Sequence, residues 1–419
     1  MSKFIIEGGV QLNGEVQISG SKNAALPILC ASLLTKEKVV LNNVPNISDI
    51  RSMIEILRSM GAEITFKDSV LTVVAENIEA KNMSEELIKQ MRASILIVGA
   101  LIARNHEIKM GFPGGCVLGK RSLDAHTHAF TELGGAVLDS ENGFHIKAGK
   151  LVGKKIVLPE SSVTATENAI MGAVLAEGKT EIRLAAAEPH VADLCHFLNS
   201  MGAKITNIGT STIKIDGVTE LHGTEYTITG DYLEAGTYAI AAVATGGDVL
   251  IKGIQTDQLD SFWYKFREMG VDFELTENSV HILKTEKIKP VKIRTSVHPG
   301  FPTDLQAPFS VLLTQAEGIS KIFETLFDGR LNYLFEVEKM GARIELLNPH
   351  QALIIGPTQL KALPISSPDI RAGAAMVIVA LMAKGKTEIT NIKYIDRGYE
   401  NLHGKMKALG AKIERISEA

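Results

Sequence analysis

Leu57-Arg58-Ser59-Met60-Gly61-Ala62-Glu63-Ile64 is the stretch from which the fold can be read. The same figure returns as Leu198-Asn199-Ser200-Met201-Gly202-Ala203-Lys204-Ile205, as Val337-Glu338-Lys339-Met340-Gly341-Ala342-Arg343-Ile344 and as Met406-Lys407-Ala408-Leu409-Gly410-Ala411-Lys412-Ile413. Looser copies occupy Glu132-Leu133-Gly134-Gly135 and Glu268-Met269-Gly270-Val271. The key glycines, at 61, 134, 202, 270, 341 and 410, lie 68–73 residues apart. A period that regular implies six units of about 70 residues.

A second mark recurs inside the units. Ala176-Glu177-Gly178-Lys179-Thr180-Glu181-Ile182 matches Ala383-Lys384-Gly385-Lys386-Thr387-Glu388-Ile389, and Ala316-Glu317-Gly318 and Thr245-Gly246-Gly247 hold the same place. Each follows an apolar, alanine-rich run and precedes a short β-branched one, so the glycine suits a left-handed helix cap. One unit then reads strand, helix, strand, helix, strand, strand. In the first unit, Ala24–Leu34 is an apolar helix and Lys38–Asn43 a strand. Ile47–Met60 carries Ile50, Ile54 and Leu57 at helical spacing. Glu63–Phe66 and Val70–Val74 pair as a hairpin around Lys67-Asp68-Ser69. A helix apolar nearly all round is buried on every side. The expected fold class is therefore α/β, with helices at the centre and sheets outside, as two compact domains of three βαβαββ units each.

Composition narrows the function. The 419 residues are 45% hydrophobic, enough for large cores. A net charge of −4 and 5% aromatic residues give no basis for nucleic-acid binding. The amino terminus has no apolar signal core. The longest apolar runs, Ile95–Ala103 and Ala372–Ala383, are too short to span a bilayer. No membrane partner is expected, and a cytoplasmic protein is the simplest reading. Cys30, Cys116 and Cys195 are an odd number without CxxC spacing, which points to neither a disulfide framework nor a zinc site.

The chemistry-bearing residues cluster in a few loops. Gly111-Phe112-Pro113-Gly114-Gly115-Cys116-Val117-Leu118-Gly119-Lys120-Arg121 is too rich in glycine and proline for a helix or strand. Its two cations can hold the Cys116 thiol below its free pKa of about 8.5; the plain alternative is a surface loop with an incidental cysteine. Ser19-Gly20-Ser21-Lys22-Asn23 opens the first buried helix, where free backbone N–H groups and Lys22 can meet an anion. The plain alternative is an ordinary helix cap by Ser21 beside a solvated lysine, and this motif alone leans toward it. Lys22, Arg92, Lys120, Arg121, Arg371 and Arg397 all lie near the starts of segments. Together they would suit a polyanionic substrate, since guanidinium groups match phosphate and carboxylate; separately, each can be a surface ion pair. Asp304 follows Phe301-Pro302-Thr303 and can serve as a base or as the cap of the next helix.

Taken together, Ser21-Lys22-Asn23, Met91-Arg92-Ala93-Ser94, Pro113-Gly114-Gly115-Cys116, Phe301-Pro302-Thr303-Asp304, Asp369-Ile370-Arg371-Ala372 and Ile395-Asp396-Arg397-Gly398-Tyr399-Glu400 resemble the family of UDP-N-acetylglucosamine enolpyruvyl transferases. The resemblance runs from the amino terminus to Ile416. It implies the EPSP synthase-like fold of two inside-out α/β domains, 22–229 and 1–21 with 230–419. It implies a cytoplasmic transferase that joins phosphoenolpyruvate to the sugar 3′-hydroxyl of UDP-N-acetylglucosamine and releases phosphate. That is the first committed step of peptidoglycan and cell-wall synthesis, and the target of fosfomycin. No metal or organic cofactor is implied.

Carried over by position, Cys116 resembles the general acid, Asp304 the base, and Lys22 and Arg397 further catalytic cations. Lys22, Asn23, Arg121, Arg371 and Arg397 resemble phosphoenolpyruvate contacts. Arg92, the run Arg121, Ser122, Leu123, Asp124 and Ala125, the run Ser161, Ser162 and Val163, and Asp304 and Leu326 resemble nucleotide-sugar contacts. The chain departs from the family pattern at Ser122, where a proline is usual, at Thr164, where a glycine is usual, and at His190, where an acid is common. Two alternatives stay open: a related transferase acting on shikimate 3-phosphate, and a non-catalytic paralogue that binds the nucleotide sugar.

Overall fold

All six repeat glycines adopt positive φ, from 76° at Gly270 to 106° at Gly61. This is the left-handed region, which side-chain-bearing residues rarely enter. At Gly61 a Cβ would also stand 2.5 Å from the carbonyl oxygen of Asn77. The repeat is thus conserved within the chain by one recurrent need, a sharp turn from helix into strand. The computed structural model describes residues 2–80, 83–114, 123–138 and 143–417.

The first unit follows its sequence closely. Ser21 caps the helix Lys22–Ala31, a short 3-10 turn Ser32–Leu34 extends it, and the strand Val39–Asn42 follows. The amphipathic helix Ser48–Ser59 buries Ile50, Met53, Ile54, Ile56 and Leu57. The strands Glu63–Lys67 and Val70–Val74 form the hairpin, with Asp68 and Ser69 both at positive φ in its turn.

The chain divides into two compact units. One holds residues 2–19 and 230–417, and the other the described residues between 20 and 229. In the first, the helices Tyr232–Ala244, Thr303–Leu313 and Ile370–Met382 pack on one another. Nearly every residue in them is buried. In the second, Ile97–Asn105 lies against both Lys22–Ala31 and Val163–Ala173. Burying all sides of these helices at about 25 cal/mol per Å² of apolar surface favours helices inside and sheets outside. Each unit has its own continuous apolar core.

The described strands form five four-stranded sheets and one three-stranded sheet. Four-stranded sheets pair a leading strand in parallel with the next, then add an antiparallel hairpin. Lys292–Arg294, Gly318–Phe323, Gln351–Gly356 and Arg343–Asn348 show the pattern in full. Three sheets depart from simple sequence order. Val39–Asn42 takes its parallel neighbour from Glu225–Thr227, whereas Asn13–Gln17 pairs with Asp248–Lys252. The strand that precedes the first helix in the chain therefore serves the fourth repeat. Lys3–Glu7 completes the last sheet, between Lys386–Thr390 and Lys412–Ile416. Turn-level signals cannot reveal such exchanges, because the strands compete on nearly equal local terms.

Candidate active site

Asp304 sits in the first turn of Thr303–Leu313, yet it caps nothing: no side chain caps that helix. Its carboxylate accepts from Arg330 Nη2 at 2.7 Å and from Arg371 Nε at 3.1 Å, one guanidinium on each oxygen. Both arginine side chains are buried, while the aspartate side chain is 29% exposed. Burial raises the Asp304 carboxyl, but the two guanidinium groups outweigh it and hold it well below the usual carboxylate range.

Each arginine is itself held. Arg330 lies over the Phe327 ring at 5.3 Å, and Arg371 over the Tyr399 ring at 5.3 Å. The Tyr399 hydroxyl meets Thr237 Oγ1 at 2.9 Å. Asp369 caps the helix that carries Arg371, accepting from the backbone N–H of Arg371 and Ala372 at 2.8 Å each. Arg371 Nη1 is buried and has no hydrogen-bond partner among the described residues. A buried guanidinium N–H left over in this way is a strong donor for an anion. Leu326 is exposed, at the tip of a turn pinned by Glu324. Glu324 accepts from the N–H groups of Leu326 and Phe327 and from the Thr303 hydroxyl.

The same unit holds a second polar network. Glu234, fully buried, accepts from Lys405 Nζ at 2.7 Å and from the Ser19 N–H at 3.0 Å. The Ser19 hydroxyl accepts from Lys405 at 2.6 Å and donates to Glu400 at 2.6 Å. Burial pushes the Glu234 carboxyl up to about 7 against the pull of Lys405. Arg397 ends the 3-10 turn Ile392–Arg397, and its neighbour Asp396 is paired bidentately with Arg415 at 2.7 Å.

In the other unit, Lys22 is buried and paired with Asp49 at 2.9 Å, so it is not a solvated lysine. Ser21 does cap the helix, and Asn23 follows Lys22 on its first turn. Arg92 opens the 3-10 turn Arg92–Leu96 ahead of the helix Ile97–Asn105. Leu123, Asp124 and Ala125 lie at the start of the helix Asp124–Glu132. Ser161, Ser162 and Val163 lie at the start of Val163–Ala173, which packs on it. His126 and Thr164 join these two starts, His126 Nε2 to Thr164 Oγ1 at 3.2 Å. Burial and the nearby Arg92 push the His126 imidazole down to about 3, so it is neutral.

The structure thus brings Asp304 and Arg371 together in one unit, and gathers Ala125 and Val163 onto adjoining helix starts in the other. Cys116, Lys120, Arg121 and Ser122 lie outside the described residues. Sequence reasoning missed Arg330, Glu324, Glu234 and Lys405. Arg330 alone of these carries a turn-plus-arginine signal, in Asp328-Gly329-Arg330.

The sequence pattern of EPSP synthase (3-phosphoshikimate 1-carboxyvinyltransferase) matches residues 6–406. The chain belongs to the EPSP synthase family. Within that family it is 44% identical to UDP-N-acetylglucosamine 1-carboxyvinyltransferase 2 of Carboxydothermus hydrogenoformans, covering all of both chains. It is 42% identical to the UDP-N-acetylglucosamine 1-carboxyvinyltransferase of Methylacidiphilum infernorum, with 99% of each chain covered. It superposes on the enolpyruvyl transferase NikO of Streptomyces tendae with a TM-score of 0.90 at 23% identity, covering 100% of this chain and 99% of that one. An EPSP synthase of Acinetobacter baumannii gives 0.75 at 17% identity over the whole of both chains. At those identities the structural neighbours establish the family fold, six repeats of helix and sheet, and nothing about the acceptor.

Among the described residues no group of three or more His, Cys, Asp or Glu side chains is arranged to hold a metal ion. No helix among them is long and apolar enough to cross a membrane.

Proposed function

We propose that the chain is a UDP-N-acetylglucosamine 1-carboxyvinyltransferase. The observation that carries this reading is the full-length likeness, at 42–44% identity, to relatives that bear that name. The reaction adds the sugar 3′-hydroxyl to C2 of phosphoenolpyruvate while C3 gains a proton. Loss of a C3 proton and of phosphate then leaves the enolpyruvyl ether. Asp304 takes the hydroxyl proton, and Cys116 gives the proton to C3. Lys22, Asn23, Arg121, Arg371 and Arg397 hold the phosphate and carboxylate of phosphoenolpyruvate. Arg92, Ser122 to Ala125, Ser161 to Val163 and Leu326 hold the nucleotide sugar. The reaction is a proton-coupled addition and elimination and calls on no cofactor. In the cell this reading puts the protein in the cytoplasm, at the entry to peptidoglycan synthesis.

The surroundings of Asp304 support a base that is switched on by substrate. With both guanidinium groups on its oxygens, the carboxylate is a weak base at rest. An anion on the spare Nη1 of Arg371 would spend part of the positive charge that stabilises Asp304. Its proton affinity then rises when phosphoenolpyruvate is in place.

The test is phosphate release from phosphoenolpyruvate with either UDP-N-acetylglucosamine or shikimate 3-phosphate as acceptor. Release with the nucleotide sugar alone is expected. Release with shikimate 3-phosphate alone, or with neither, overturns the proposal.

A further inference from the structure

Asn168 is fully buried in the helix Val163–Ala173, and all of its polar contacts are specified. Its Oδ1 accepts from the Gly99 N–H at 2.8 Å, and its Nδ2 donates to the Ile95 carbonyl at 2.9 Å. Rotating the amide by half a turn would set donor against donor and acceptor against acceptor, so the orientation is determined. The second Nδ2 hydrogen lies toward His126 Nδ1, 2.9 Å away. Nδ1 is therefore an acceptor, and the neutral ring carries its proton on Nε2.

Among the described residues that proton has one acceptor, Thr164 Oγ1 at 3.2 Å. A hydroxyl has one hydrogen and two lone pairs. With a lone pair engaged by His126, the Thr164 hydrogen is turned away from the ring. Among the described residues that hydroxyl makes no other hydrogen bond. Thr164 sits in the first turn of the helix Val163–Ala173, and its cap residue Ser162 makes no side-chain bond to that turn. The first turn of a helix is where an anion is favoured.

We propose that Thr164 donates its hydroxyl proton to the anionic part of the nucleotide sugar, and that Asn168 and His126 are positioning residues that set the direction of that proton. The inference rests on the nucleotide-sugar reading above and adds a specificity residue to it. Thr164 thereby supplies a side-chain donor at a position where the family resembled usually has glycine, which offers only its backbone N–H.

The experiment is calorimetric titration of UDP-N-acetylglucosamine into wild type, Thr164→Val and Thr164→Ser, together with kcat and KM for both substrates. Valine keeps the shape and removes the donor; serine keeps the donor. The expected result for Thr164→Val is about tenfold weaker binding, the worth of one hydrogen bond to a charged group. Its KM for phosphoenolpyruvate and its kcat should stay within about twofold of wild type, and Thr164→Ser should bind nearly as wild type does. ¹⁵N NMR of labelled histidine should show the His126 proton on Nε2. Unchanged binding by Thr164→Val, an equal loss in Thr164→Ser, or a proton on Nδ1 overturns the proposal. A wild type that binds the nucleotide sugar but releases no phosphate overturns the proposed reaction while the titration still decides the role of Thr164. A wild type that does not bind it overturns both.

Discussion

Arg330 donates to Asp304 Oδ1 at 2.7 Å, on the opposite oxygen from Arg371. The carboxylate is therefore clamped from both sides, and of the two arginines Arg371 is the one with a buried N–H that has no partner among the described residues. The two arginines differ in what they can offer a substrate: Arg330 tunes the acid, whereas Arg371 can tune it and also hold an anion.

Arg330→Gln should raise the proton affinity of Asp304, because it removes one of the two cations that lower it. The base form is then lost at higher pH. The acid limb of the kcat/KM profile against pH should move upward, and pH-rate curves for both proteins measure this. Loss of a buried partner should also cost stability, up to roughly 3–5 kcal/mol and less to the extent that water reaches Asp304. An acid limb that does not move would show that Asp304 is not the group being titrated.

Asp304→Asn keeps the shape and removes proton acceptance. Turnover should fall by about 10²–10⁴, the usual weight of general base help. Single-turnover kinetics on a folded variant check this, and near-normal turnover would remove Asp304 from the chemistry.

Glu234 should make stability depend on pH. Its carboxyl is raised from 4.5 to about 7 in the folded protein, chiefly by burial. Between those values the folded chain holds a proton that the unfolded chain has released. The stabilisation is complete below about 4.5 and is lost as pH rises through about 7. Urea unfolding at pH 5 and pH 8 should show a steeper decline for wild type than for Glu234→Gln, which cannot titrate. Parallel declines would place the proton elsewhere.

Gly99→Ala should destabilise the protein even though alanine is the better helix former. A Cβ there would stand 2.7 Å from both the carbonyl oxygen and Oδ1 of Asn168. Relief requires the helices Ile97–Asn105 and Val163–Ala173 to part, at a typical overpacking cost of about 1–3 kcal/mol. The helix gain of up to about 1 kcal/mol offsets only part of that. Chemical denaturation gives the difference directly, and a variant as stable as wild type would mean that the two helices can separate freely.

Cys116→Asp should keep measurable transfer activity and resist fosfomycin, since a carboxyl can donate a proton but is not alkylated as a thiolate is. Cys116→Ser should lose most turnover, because its hydroxyl pKa is far too high. Phosphate release with and without the epoxide separates the two. A fosfomycin-sensitive Cys116→Asp enzyme would mean that this cysteine is not the residue attacked.

The repeat around Gly61 and its five relatives was legible in the sequence because its cause is local. A left-handed turn needs glycine wherever it occurs, and all six positions have positive φ. The apolar helices were legible for the same kind of reason: a segment such as Ile370–Met382, without a polar face, has only the interior to go to. The motifs around Asp304 and Arg371 could be marked as candidates, but their roles could not be separated. Asp304 looked equally like a helix cap, and only the arrival of Arg330 and Arg371, 26 and 67 residues away in sequence, turned it into a clamped carboxylate. The resemblance assigned residues 1–21 to the unit of 230–419, but local sequence gave no sign that Asn13–Gln17 would pair with Asp248–Lys252, or Glu225–Thr227 with Val39–Asn42. For Lys22 the sequence left an anion-binding lysine and a solvated one open, and the ion pair with Asp49 excludes the solvated one. Each of these depends on which distant groups share a small buried volume. Local sequence sets the conformation of a turn or a helix, but the electrostatic state of a side chain is set by neighbours that only the tertiary fold brings within a few ångströms.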